Sequence, residues 1–468
     1  MSIQTTVLLL LLLLVLVSAD LSQSEDGGGG VLKLEHKFGG LASVTSLEDL
    51  KKHDLNRHER RLITAVPAFD FPLDGGQPIS GTGLYYTNIT VGSPPEVYHF
   101  HVDTATDAMW FHHCCRTDSC PSNLPNKAKI YNLQKSSTSR SVHCDEEFCH
   151  EINKDNAYPF YLYYCSKPGA ECETHVAPYG EVSHMVSYLV NDLTSFTQIS
   201  GNKTEISSNS SVTFGCRILP AERAFYPRHD PSLDGVLGFS NSSTSVLSQL
   251  VSSGKIKKKK FAHCLDRKNG GGVFVIGDVD QPELRTTSLF SKGSHYHVNM
   301  KSIKVGDVFL KFSEEVFPVG DVKGTVIDSS TTMAYFPVEI FDQLYKMVMS
   351  SQQLSGLETR VVHELYTCFS FDKNVDDSFP TITFTFDGST ELKTYPHEYL
   401  FQLAAESDWC LGLHDNRKFH LRDMIVLGDL VLSNKVVSYD LDTNSLGLAE
   451  HDCASTIGVK DDVVLSHS

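Results

Sequence analysis

Positive charge is in short supply in this chain. Its 40 Lys and Arg stand against 57 Asp and Glu, a formal net charge of -17. That balance argues against a general affinity for nucleic acid or anionic membranes. It also points towards work in acid, where protonation relieves carboxylate self-repulsion. Long apolar runs are missing too: the unbroken stretch Val7 to Val17 is too short for a membrane span. The final Val464-Leu465-Ser466-His467-Ser468 is polar, so neither a C-terminal span nor a lipid-anchor signal is expected. No Ser sits in a Gly-x-Ser-x-Gly elbow, which removes the serine-hydrolase reading. Gly270-Gly271-Gly272 lies between two strand-like stretches and reads as a turn rather than a phosphate loop.

The composition that remains is that of a folded, secreted protein. With 468 residues, 41% of them hydrophobic, the chain can build two lobes of ordinary domain size. Val7 to Val17 followed by Ser18-Ala19 fits a signal peptide over 1–19, with the α-amino group alone supplying the positive end. Twelve cysteines and sequons at Asn88, Asn202, Asn209 and Asn241 fit an oxidising secretory route, without naming its last stop. His112-His113-Cys114-Cys115 with Cys120, and His143-Cys144 with Cys149-His150, could be written as metal ligands. In a secreted chain they read as a disulfide-rich insert, and neither a metal nor another cofactor is expected.

Residues 20–75 form a polar N-terminal arm with a Gly27 to Gly30 linker and a basic, helix-compatible stretch from Lys51 to Arg61. We read the arm as a prosegment. Its basic stretch can lie across a cleft of carboxylates near neutral pH and let go as Asp and Glu protonate. The body begins at Gly83-Leu84-Tyr85-Tyr86. Tyr98, Phe100 and Val102 alternate with Val97, His99 and His101, and Gly92-Ser93-Pro94-Pro95 forms a turn, so 84–103 is a hairpin ending at Asp103. Helices are expected to be few, with amphipathic patterns at Ser245 to Ser253 and Pro337 to Met349. Short strands between turn clusters fill the rest, and the basic Lys255 to Lys260 reads as a solvated loop.

Two stretches look like versions of each other: Val102-Asp103-Thr104-Ala105-Thr106 and Val326-Ile327-Asp328-Ser329-Ser330-Thr331. Each is answered downstream by an apolar pair closing on Gly, at Val236-Leu237-Gly238 and Val426-Leu427-Gly428. The duplication predicts an all-β bilobal fold with one carboxylate from each half in the cleft: an N-terminal lobe over 76–285, a C-terminal lobe over 286–455 and a polar tail over 456–468. Two close carboxylates share one proton and titrate as a pair. One then acts as base toward a water while the other donates to a scissile carbonyl. Thr106 and Thr331, three residues on, can hold the carboxyls in place.

With Leu84-Tyr85-Tyr86, Val91 to Pro95, Trp110, Phe214-Gly215-Cys216, Phe261 to Leu265 and Val426 to Leu430, the chain resembles a pepsin-type aspartic protease, in the plant nepenthesin-like branch. The resemblance spans about Gly83 to Cys453. It implies two β-barrel-like lobes, Asp103 and Asp328 as the catalytic pair, and a flap starting at Tyr179-Gly180, braced by Trp110 over the substrate. It also implies a disulfide between Cys368 and Cys410. The function implied is a secreted, monomeric proenzyme of aspartic endopeptidase type, acting on extended polypeptides. The alternative is a relative that has lost turnover and binds another molecule in its cleft. Three departures from the family pattern bear on that choice. Ala105 and Ser330 stand where glycine is usual, and Val182 replaces a turn glycine of the flap. A Cβ at the first two positions is tolerated if φ is negative and costs about 1 kcal/mol or more if φ is positive.

Overall fold

The structure, a computed structural model, describes residues 30–36 and 85–459. The second span excludes 118–119, 121–127, 155–160, 165–168, 177–184, 200–204, 219–232, 269–270, 282, 293–294, 313–322, 351–353, 355, 363–364, 403–407, 418–422 and 456. The expected signal peptide, the basic Lys51 to Arg61 stretch, Tyr179, Gly180, Val182, Asn202 and most of the tail lie outside the described residues.

Strands dominate, as period-2 patterning requires. Tyr85–Val91 (β2) and Glu96–Asp103 (β3) form the expected hairpin, with Ile89 opposite Tyr98 and Thr87 opposite Phe100. Gly92, at φ 89°, makes its turn. The inward residues of this hairpin and of Met109–Cys115 (β4) meet in an aromatic knot. Phe111 lies 4.9 Å from both Tyr98 and Phe100 and 5.0 Å from Phe214, ring centre to ring centre. The second lobe is built around Phe336, Ile340, Leu344 and Phe384. There the Val338–Met349 helix starts after Pro337, whose missing N–H costs nothing at a helix start. The other expected helix runs Val246–Ser252, capped by Ser245, whose hydroxyl accepts from the Ser248 N–H.

A single sheet ties the lobes together. Gly30–His36 (β1) pairs with Gly271–Ile276, which pairs with Lys260–Asp266; that strand pairs with Lys435–Asp440 from the second lobe. Ser445–Glu450 and Arg285–Lys292 complete it. Phe261 stacks on its cross-lobe partner Tyr439 at 4.4 Å, and Cys264 is disulfide-bonded to Cys453. The resulting architecture is the bilobal all-β pepsin-like fold.

β1 is the element that composition concealed. It lies within the arm read as a prosegment, yet Leu34 is buried and six of its residues pair with the Gly271–Ile276 strand. Its alternation of Leu32 and Leu34 with Lys33 and Glu35 is a strand signal that the glycine-rich surroundings overshadowed. The basic run also differs from expectation at its end. Lys255 to Lys259 is loop, but Lys260 opens a strand and bridges Asp278 at 2.9 Å and Asp440 at 2.7 Å.

Five described disulfides join Cys114–Cys216, Cys115–Cys120, Cys149–Cys172, Cys264–Cys453 and Cys368–Cys410, and Cys144 is disulfide-bonded as well. The cysteines offered above as metal ligands therefore carry no thiolate. Of the described sequons, Asn88 and Asn209 are exposed. Asn241 is half-buried, and its side chain donates to Ser291 at 3.0 Å.

Candidate active site

Each half of the chain delivers its Asp by the same backbone device. β3 ends at Asp103 and runs parallel to Gly235–Gly238, which sets Asp103 beside Gly238. In the second half, Lys323–Ile327 runs parallel to Asp423–Leu427, and Asp328 N–H donates to the Leu427 carbonyl at 3.0 Å. The loop after each Asp then passes close against the facing glycine. A Cβ on Gly238 would sit 2.4 Å from the Thr106 and Ala108 carbonyl oxygens, and one on Gly428 2.3 Å from that of Met333 and 2.4 Å from that of Thr331. Only glycine admits that approach.

The carboxylates are held alike. Asp103 Oδ1 accepts from Ala105 N–H at 2.8 Å, and its Oδ2 accepts from the Thr106 hydroxyl at 2.7 Å. Asp328 Oδ1 accepts from Ser330 N–H at 3.1 Å, and its Oδ2 accepts from the Thr331 hydroxyl at 2.8 Å. Both acids are buried, at 3% and 0% exposure, where these hydrogen bonds are strengthened by the low local dielectric.

The residues that replace the usual glycines differ in effect. Neither Ala105 nor Ser330 is among the positive-φ residues, so their Cβ atoms carry no left-handed strain. Ser330 has a further consequence. Its hydroxyl lies 2.9 Å from Asp103 Oδ1 and 2.8 Å from Asp328 Oδ1, between the two carboxyls.

A second pair of hydroxyls supports the dyad from one residue further along, and sequence reasoning passed over it. Thr104 Oγ1 accepts from Ser329 N–H and from the Ser329 hydroxyl, each at 3.3 Å, joining the two Asp loops across the lobes. The signal was present, since Thr104 and Ser329 occupy matching places in the duplicated motif. Next to them is Tyr439, fully buried. Burial first, and the charge of Asp328 next, push its phenol well above the ordinary range, and Thr104 hydrogen-bonds it. His263 Nε2 stands 3.4 Å from that phenol.

Trp110 sits half-buried on β4 with its ring over Gly215, where a Cβ would come within 2.0 Å of the indole. Its expected partner Tyr179 is outside the described residues, so Trp110 is placed here by packing.

Sequence profiles described as "Xylanase inhibitor N-terminal" and "Xylanase inhibitor C-terminal" match residues 85–278 and 295–450. "Aspartic proteinase 39" of Arabidopsis thaliana is 37% identical over 439 residues, covering 92% of this chain and 86% of that protein. "Aspartic proteinase nepenthesin-2" of Nepenthes gracilis is 21% identical over 433 residues, covering 89% and 90%. Among solved structures, conglutin gamma from lupine seeds superposes with a TM-score of 0.61 at 17% identity, covering 90% of this chain and 94% of that one. Basic 7S globulin from soybean gives 0.60 at 17%, covering 92% and 98%. At such identity these two similarities speak for the fold alone. With both profiles and the 37% relative spanning most of its length, the chain belongs to the plant pepsin-like aspartic protease family.

Proposed function

We propose that this protein is a secreted aspartic-type endopeptidase that hydrolyses polypeptides through Asp103 and Asp328. The observation that carries the reading is the pair of buried carboxyls from opposite lobes, whose Oδ1 atoms share one hydrogen-bond partner and whose Oδ2 atoms are each held by a threonine. Carboxyls this close hold one proton between them. The ionised one takes a proton from water as that water attacks the scissile carbonyl, and the protonated one donates to the carbonyl oxygen. Thr106 and Thr331 keep the two carboxyls from turning, so little reorganisation is left for the reaction itself. Thr104 and Ser329 fix the loops on which both stand. A substrate in extended conformation suits a β-lined cleft, where strand-like hydrogen bonds hold the backbone and side pockets select residues. The proenzyme arm, Tyr179 and Gly180 of the flap, a monomeric state and a destination in the extracellular space or vacuole belong to this proposal.

One observation favours a second reading, a cleft protein that binds without turnover. The Ser330 hydroxyl already occupies the space between the carboxyls. The two readings part in one experiment. The secreted protein, acid-treated to release the arm, is incubated with a diverse peptide pool from pH 3 to 7, beside Asp103→Asn, Asp328→Asn and a statine-type transition-state mimic. A peptidase cleaves, and loses cleavage with either variant and with the mimic. A folded wild type that cuts nothing across the pool rules the peptidase out in favour of the binding protein.

A further inference from the structure

The peptidase reading leaves one feature of the dyad unused: a serine where the duplicated motif has only a methyl in its first copy. Ser330 carries a single O–H, yet its oxygen is within hydrogen-bond distance of a carboxylate oxygen on either side, 2.9 Å from Asp103 Oδ1 and 2.8 Å from Asp328 Oδ1. One hydroxyl can donate to only one of them. The other contact is a hydrogen bond only if that carboxyl is protonated and donates to Oγ. The three groups thus form one chain, carboxylic acid to hydroxyl to carboxylate, with a single proton direction. Ser330 is 2% exposed and its φ is not positive, so no backbone strain pushes the side chain away from this position.

A water that attacks a substrate carbonyl has to stand between the same two oxygens, since one carboxylate must take its proton while the other donates. The Ser330 oxygen fills that place. We propose that Ser330 is a positioning residue that acts as a built-in plug for the nucleophile site: its hydroxyl takes the place of the attacking water in the resting protein. Turnover then requires the side chain to rotate about χ1 to another staggered position. The proposal rests on the peptidase reading for its kinetic consequence and on geometry alone for its binding consequence. Rotation gives up both hydrogen bonds of this chain, one of them charge-assisted, which lowers the population of the open state by at least about ten- to a hundredfold. The hydroxyl of a transition-state mimic has to displace the same oxygen.

The test compares wild type with Ser330→Ala, which removes only the hydroxyl, and Ser330→Gly, which restores the motif. Each variant is shown to be folded by its thermal melt. Affinity for the statine-type mimic is measured by calorimetry at one pH, and kcat and KM are measured on any peptide that is cut. The plug predicts mimic affinity at least about tenfold tighter in both variants, and kcat raised by a similar factor with KM within about twofold. Equal mimic affinity in wild type and Ser330→Ala overturns the proposal. So does an acyl ester trapped on Ser330, which would make the hydroxyl the nucleophile. If no variant cleaves any peptide while the affinity gain appears, the plug stands and the peptidase reading falls.

Discussion

Acid attacks this protein through two histidines. His263 faces Phe274 on one neighbouring strand and Val437 on the other, and His414 lies against Tyr335 and Tyr366 with ring centres 5.9 and 5.1 Å away. Both are fully buried, and burial holds both down to about 3, with Asp415 opposing the shift at His414 only weakly. The sign follows from proton counting. Unfolded histidine binds a proton below about 6.5, and these two bind one in the fold only near 3, so the unfolded state holds more protons throughout that window. Stability is therefore lost as pH falls from about 6.5 toward 3. Each histidine costs up to about 1.4 kcal/mol per pH unit there, and the pair costs roughly 3 kcal/mol between pH 6.5 and 5. Against a typical total of about 5–15 kcal/mol, that is a large share. Carboxylates held low by partners, such as Asp278 beside Lys260 and Glu171 beside Arg116, lose their contribution only at lower pH, as pH falls through their depressed folded values. The window above pH 5 thus isolates the histidines. Urea melts of wild type and a His263→Phe/His414→Phe double variant at pH 7, 6 and 5 read the effect. The variant's packing cost is the same at each pH and drops out of the slope. The variant's loss of stability should be smaller by about 1.4 kcal/mol between pH 7 and 6 and by about 2.4 kcal/mol between pH 6 and 5. Equal slopes would refute the reasoning. The excess of carboxylates over basic groups is relieved by acid, whereas these two interior histidines oppose it.

Two further predictions concern the frame around the cleft. Lys435 and Glu398 form an ion pair at 2.6 Å with 3% and 2% side-chain exposure, and burial lowers the lysine from its ordinary value. Lys435→Met strands the Glu398 charge and should cost about 3–5 kcal/mol in a thermal melt, while adding Glu398→Gln should recover most of it; a neutral single variant would show the pair to be hydrated. Gly428→Ala places a Cβ 2.3 Å from a backbone carbonyl and should abolish secretion of folded protein, whereas Gly254→Ala, at φ 72° with open space around it, should cost only about 1 kcal/mol. Comparable secretion of the two variants would count against the close approach at the second Asp loop.

Duplication made the site legible before any coordinates. Two copies of an apolar strand end, an Asp and a hydroxyl residue, each answered by a Leu-Gly, describe the two parallel pairings that carry Asp103 and Asp328. The Tyr85–Asp103 hairpin and the helices Val246–Ser252 and Val338–Met349 were equally readable, because period-2 and helical patterns are local, whereas the helix Glu147–Lys154 was not foreseen. What escaped is what depends on contacts distant in sequence. β1 sits in a segment whose composition suggests a disposable arm, and only its six-residue register with Gly271–Ile276 reveals it as part of the sheet between the lobes. The Lys435–Glu398 pair joins residues whose proximity no spacing encodes, whereas the Thr104–Ser329 link was marked by matching places in the duplicated motif and passed over. The cost of Ala105 and Ser330 turned on the sign of φ, which a sequence does not state.

The same duplication poses a chemical difficulty that Ser330 bears on. Two carboxyls delivered by matching backbone, each with an N–H on Oδ1 and a threonine on Oδ2, are near equivalents, whereas hydrolysis needs one acid and one base. Ser330 hangs from the second loop but reaches the carboxyl of the first, so the chain of three groups can point either way. Turned one way, Asp103 is the acid and Asp328 the base; turned the other, the roles exchange. The two states interconvert by moving protons along hydrogen bonds already made, with no heavy atom displaced. A water in that position would do the same and then leave as a nucleophile, but a hydroxyl tethered to the backbone stays. On the plug proposal the serine preserves the proton arrangement of an aspartic dyad while keeping the attacking water out, and a substrate that turns the side chain aside would readmit that water. Selectivity at this site would then lie in which peptides can drive that rotation, a different filter from the pockets that hold their side chains.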